Sequence, residues 1–174
     1  MVKDRDSPGW LPDLVECDWN DIEGTVDRAY AVFFRAFLNE SSRPRFRGKR
    51  MGIKRHPEYD GKSATFWHLI TEGAKEVSRA PVRERIERIA WARALIVEAG
   101  KDSTRVKIWM NERQRHGHRK SVRWLIGLLD FSYVVVLDDR QDFVLLWTAY
   151  PIRENHQRRK LEREYDAWIA AHKS

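Results

Sequence analysis

Apolar residues between positions 18 and 38 recur at Ile22, Val26, Ala29, Phe33 and Phe37. Steps of four, three, four and four place them on one face of a helix. Asp18 or Asn20 supplies a capping oxygen at its start, and Gly24 weakens it slightly. Ahead of it, residues 1–17 carry two prolines, a glycine and several charges, which predicts an irregular arm. A second helical pattern spans residues 80–100, with Val82, Ile86, Ile89, Ala90 and Val97 along one side. Pro81 suits its first turn, where a missing N–H is harmless, and Gly100 suits the position just past its end.

Between these helices the helical period disappears. Gly48, Gly52, Pro57 and Gly61 interrupt residues 41–70. Two short strands, near 45–54 and 64–70 and joined by a turn at HPEYDG, are predicted. After Gly100 the period becomes two. Val106, Ile108 and Met110 alternate with Arg105, Lys107 and Trp109, as in a half-buried strand. SVRWLI, SYVVVLD and FVLLWTAY follow. The last two are almost continuously apolar, which predicts cover on both faces, and DDRQD between them reads as a hairpin turn. Leu161, Tyr165, Trp168 and Ile169 mark the apolar side of a closing helix over about 154–172. The order of elements predicts an α+β domain with a mostly antiparallel sheet packed against helices.

Composition narrows the classes. The 174 residues suit one domain with a sizeable core. Lys plus Arg number 33 against 26 Asp plus Glu, a net charge of +7. That excess favours a polyanionic partner such as RNA. A single cysteine, Cys17, excludes an internal disulfide framework and a multi-cysteine zinc site. The charged start and the lack of a long apolar run point to a cytoplasmic protein with no membrane partner.

Two basic windows stand out. No acid occurs between Glu40 and Glu58, a stretch holding Arg43, Arg45, Arg47, Lys49, Arg50, Lys54 and Arg55. On a strand, Arg43, Arg45, Arg47 and Lys49 share a face. The alternative is an edge strand guarded by cations. A second acid-free window, 113–127, includes Arg115, His118 and Arg119. His116 and His118 lack the third ligand that a metal site needs, so no metal or other cofactor is expected.

Three motifs remain. Gly61-Lys62-Ser63 looks like the end of a phosphate-binding loop, but His56 stands where the first glycine belongs, and no buried strand precedes it. His68 lies among apolar neighbours in ATFWHLI. On a strand it shares a face with Phe66 and Ile70, either as a core histidine or as a rigidly held acid–base group. Thr148 and Tyr150, at the end of the last strand, present two hydroxyls on one side, either to backbone or to a phosphate.

As a set, FRGKRMGIKRHPEYDGKSATFWHLITEG, RIERIAWARALI and YVVVLDDRQDFVLLWTAYPI with the basic segment after it resemble the phage-associated branch of the barnase–EndoU–colicin–RelE-like (BECR) ribonucleases. The resemblance covers roughly 43–168. It implies a nuclease-like α+β domain over 43–174, with residues 1–42 as an arm and accessory helix. It also implies a metal-independent ribonuclease, such as a toxin or phage-conflict effector, that cleaves RNA by 2′-OH attack and needs no cofactor. His68 matches the histidine of the FWHL-type motif, and Thr148 and Tyr150 match hydroxyl positions on the final strand. Arg50 is the candidate phosphate clamp. Arg45, Arg47, Lys49, Lys54, Arg115, His118 and Arg119 are candidate RNA contacts, and Trp67 or Trp109 a base-stacking surface. A neutralising antitoxin or immunity protein is the implied protein partner. The alternatives are a non-catalytic RNA-binding module and an antitoxin-type partner-binding domain.

Overall fold

The computed structural model describes residues 7–73, 78–101, 103–114 and 120–172. Helix α1 (Ile22–Phe33) runs into a π-helical turn, Phe34–Leu38. Its cap is Asp21, whose carboxylate accepts from the Gly24 amide, rather than Asp18 or Asn20. Val26, Ala29, Phe33 and Phe37 enter the same core as Phe66, Ile96 and Leu146. Residues expected to form an accessory helix therefore help build the centre of the molecule.

Strands β1 (Arg45–Phe46) and β2 (Lys49–Gly52) form a tight hairpin. Arg47 and Gly48 make its two-residue turn, with φ of 50° and 79°. Positive φ at both turn positions matches the right-handed twist of the flanking strands. The turn breaks the single basic face expected for Arg43, Arg45, Arg47 and Lys49.

The segment 64–70 is a helix, α2 (Ala64–Ile70), not the predicted strand. Ser63 caps it by accepting from the Phe66 amide. Phe66, Leu69 and Ile70 are buried, an i, i+3, i+4 set that satisfies a helix in only two turns. Strands β3 (Thr71–Glu72) and β4 (Ala80–Pro81) pair beyond it. Pro81 thus ends a strand instead of opening a helix. The predicted 80–100 helix is two helices, α3 (Arg83–Glu87) and α4 (Ile89–Ala99), with Arg88 non-helical at φ −101°, ψ 15° between them.

The remaining elements follow the pattern read from sequence. Strands β5 (Val106–Gln114), β6 (Lys120–Leu128), β7 (Tyr133–Asp139) and β8 (Phe143–Pro151) form an antiparallel meander, and α5 spans Asn155–His172. The six-stranded order is β1-β2-β8-β7-β6-β5. Among the described residues only β2 and β8 run parallel, so the fold is α+β with a mostly antiparallel sheet. The sheet curls. Phe46 on β1 reaches Trp124 on β6, with ring centroids 5.7 Å apart, across three intervening strands in the order. Helix α4 lies in the concave side against β1, β5, β6 and β7. Helix α5 covers part of the convex side, where Leu161 packs with Trp109, Leu125 and Val136. Among the described residues no helix is long and apolar enough to cross a membrane.

Candidate functional site

One irregularity in the sheet shapes the convex face. Val136 pairs with Thr148, but Leu137 pairs with Leu146, leaving Trp147 as an extra residue. Such a bulge re-aims side chains. Without it, Trp147 and Thr148 would point to opposite faces. With it, Trp147, Thr148 and Tyr150 all line one cleft of about 630 Å³ between β8, α5 and the residues around β3 and α3.

Two arginines lie over the aromatic residues of this cleft. The Arg85 guanidinium carbon is 5.2 Å from the centre of the Tyr150 ring, and that of Arg123 is 4.8 Å from the Trp147 ring. A guanidinium over a ring keeps its N–H edge available for planar bonding to carboxylate or phosphate. Burial lowers the pKa of Arg85 and nearby Arg79 lowers it further, while Glu72 opposes both. An anion in the cleft would relieve this desolvated cation. The far wall carries Asn111, whose amide donates to Glu164 at 3.2 Å. Glu72, Glu154, Arg153 and Lys160 complete the charged rim, with Arg153 held by Glu84 at 2.7 Å.

His68 approaches from α2. Its backbone carbonyl belongs to the last turn, where helices leave acceptors unused. Arg85 and the Thr148 hydroxyl both donate to it, each at 3.4 Å. The imidazole, half-buried, lies 6.3 Å from the Trp147 ring, centroid to centroid. The structure therefore brings together three of the four predicted catalytic residues, His68, Thr148 and Tyr150.

Arg50 is elsewhere. It pairs with Phe143 at the opposite end of β8 and sits 5.9 Å from that ring. Phe143 and Thr148 are five residue steps apart along β8, roughly 16 Å. Most of its basic neighbours also have structural work. Arg43 donates to the Phe37 and Leu38 carbonyls of the π-helical turn after α1. Arg45 bonds the Gly48 carbonyl within the hairpin, and Arg47 stacks 4.3 Å over Trp124.

Lys49 reaches Asp139 at 2.6 Å. Burial tends to raise the Asp139 pKa, but Lys49, the Trp124 indole N–H and the Gln141 amide outweigh it and hold the carboxyl below its usual range. Lys54 is exposed. Arg115, His118 and Arg119 lie outside the described residues. Trp109 is fully buried, so it cannot stack on a base, while Trp67 is half-buried and donates to the Tyr59 carbonyl.

The apparent phosphate loop is a structural turn. Tyr59 and Lys62 form an isolated bridge. Lys62 is buried, with its ammonium 2.6 Å from Asp60 and 3.1 Å from Asp27 on α1. Among the described residues no three His, Cys, Asp or Glu side chains group as a metal site.

Sequence reasoning reached Arg123 only as a member of the basic window 113–127 and missed Arg85, Trp147 and Glu72. Arg85 lies on a segment read as helical, but its spacing does not reveal its contact with Tyr150, and the two-residue strand that carries Glu72 is too short to show a period. The position of Trp147 depends on a bulge that alternation does not reveal. No protein-family profile, curated protein or solved structure matches the chain, so its own geometry must carry the functional reading.

Proposed function

We propose that the convex-face cleft binds an RNA phosphodiester and that the protein is a metal-independent endoribonuclease of the BECR, RelE-like type. One observation carries this reading. Arg85, Arg123, Thr148 and Tyr150 converge on one cleft, with the His68 imidazole beside Trp147 at its edge.

The chemistry follows from those groups. The ribose 2′-OH attacks the adjacent phosphorus, the bond to the 5′ oxygen breaks, and a 2′,3′-cyclic phosphate forms. One group takes the 2′-OH proton and another protonates the leaving oxygen. In this scheme Glu72, on the cleft wall, and His68, beside Trp147, are the proton-transfer pair. Arg85 and Arg123 stabilise charge on the non-bridging oxygens through paired N–H donors. Tyr150 and Thr148 orient the phosphate, and Trp147 offers a ring for a nucleobase.

Single-turnover cleavage of a single-stranded RNA tests these roles. Arg123→Gln and Tyr150→Phe should each lose on the order of 100-fold or more in rate, as removal of one transition-state donor does. Lys54→Gln, away from the cleft, should remain within a few-fold of wild type. Equal rates for all four proteins would refute the assignment.

A second reading has its own observation. His68 meets the cleft through Trp147 and does not itself line it, an arrangement that also suits RNA binding without cleavage. Salt-sensitive binding that leaves RNA intact would decide for it.

A further inference from the structure

We infer that the cleft continues into a second phosphate subsite, so that the protein takes an extended single strand of RNA rather than one nucleotide. This rests on the RNA reading of the cleft. A second cavity, of about 360 Å³, adjoins the first, because Pro151, Ile152 and Arg153 line both. Arg88 and Arg158 line this second cavity with Ser132.

Its charges have defined roles. Arg153 is paired with Glu84 at 2.7 Å. Asp130 is engaged locally, accepting from the Ser132 amide at 3.0 Å and its hydroxyl at 2.7 Å. Arg88 stacks over Trp91 and contacts Glu87 at 3.4 Å. Arg158 differs. Its Nε donates to the Ile152 carbonyl at 3.0 Å, which fixes the guanidinium on the segment shared by both cavities. No carboxylate lies within ion-pair distance of it among the described residues. The remaining N–H donors of such a group match a phosphate. A positively charged track beside an aromatic platform is the arrangement that holds a single strand without reading its sequence.

A mononucleotide-scale ligand fills the first cavity only. A longer strand places a following phosphate at Arg158. The experiment is equilibrium binding of fluorescein-labelled 2′-O-methyl RNA, which cannot be cut by 2′-OH attack, as a dinucleotide and as a hexanucleotide. Wild type should bind the hexamer at least tenfold more tightly than the dimer. Arg158→Gln should remove most of that gain, roughly tenfold for one charged contact, and leave dimer affinity unchanged. It should also flatten the hexamer's log K against log salt slope by about 0.7, the contribution of one phosphate contact on a single strand. Arg158→Lys, which keeps the charge, should retain much of the gain and controls for local unfolding.

Equal weakening of dimer and hexamer by Arg158→Gln, or no length dependence in wild type, would overturn the inference. The RNA reading would survive that result if Arg123→Gln still weakens the dimer. If neither oligomer binds wild type, both fall together.

Discussion

Gly127 is the glycine on which the convex face depends, and its replacement by alanine gives a quantitative prediction. It lies on β6 opposite Lys107, with Trp109 the diagonal neighbour on β5. The Trp109 indole crosses above it. A Cβ at this position would meet Cζ3 at 3.2 Å, Cη2 at 3.3 Å and the Tyr133 carbonyl oxygen at 3.7 Å. The indole cannot easily retreat, because it is fully buried and edge-on to Phe131 at 5.8 Å and Tyr165 at 5.9 Å. Overpacking of this kind costs about 1–3 kcal/mol. Alanine recovers roughly 0.5–1 kcal/mol over glycine inside a strand.

The net expectation is a loss of about 1–2 kcal/mol. In a chain of this size that lowers the melting temperature by about 2–8 °C. Urea unfolding of wild type and Gly127→Ala measures it. Trp109→Phe removes the crowding atoms. It also sacrifices no hydrogen bond, since the buried indole N–H has none among the described residues. In the double variant the two changes should therefore couple favourably, by about 1 kcal/mol. A Gly127→Ala protein as stable as wild type, or additive effects in the double variant, would show that the indole does not occupy this position.

Two further predictions concern the hairpin and the cleft. Asp139 has its folded pKa depressed, so its contribution is present above the unfolded carboxylate value and disappears as pH falls through the folded one. Asp139→Asn should lose about 1 kcal/mol at pH 7, with the gap from wild type closing under acid in urea titrations at several pH values. Trp147→Ala should weaken binding of non-cleavable RNA by about 1–3 kcal/mol, whereas Trp147→Phe keeps most of the stacking; anisotropy titration distinguishes them.

Much of the fold was legible because its large elements have strong periods. The meander from β5 to β8 shows alternating or continuously apolar strands. Helices α1 and α5 show apolar residues at helical spacing. The errors fall on short pieces. Seven residues of ATFWHLI are rich in groups that favour strands, and their helix is fixed by the Ser63 cap and by burial of Phe66, Leu69 and Ile70. Local propensity yields to such packing.

The candidate site divides in the same way. Thr148 and Tyr150 were readable from alternation on a long strand, and both line the cleft. Arg85 enters only because α3 brings it against Tyr150. The basic window 43–55 was a true feature of composition. Its charges are nonetheless largely absorbed by carbonyls, rings and Asp139, none of which is a sequence neighbour pattern.

The most direct test of the account is chemical. Purified protein and its His68→Ala variant should be incubated with total bacterial RNA in excess EDTA, and the new 3′ ends examined for cyclic phosphate. Wild type should give discrete cleavage with 2′,3′-cyclic ends, and the variant should lose it. Intact RNA with both proteins would contradict the nuclease assignment, and equal cleavage by both would remove His68 from the site.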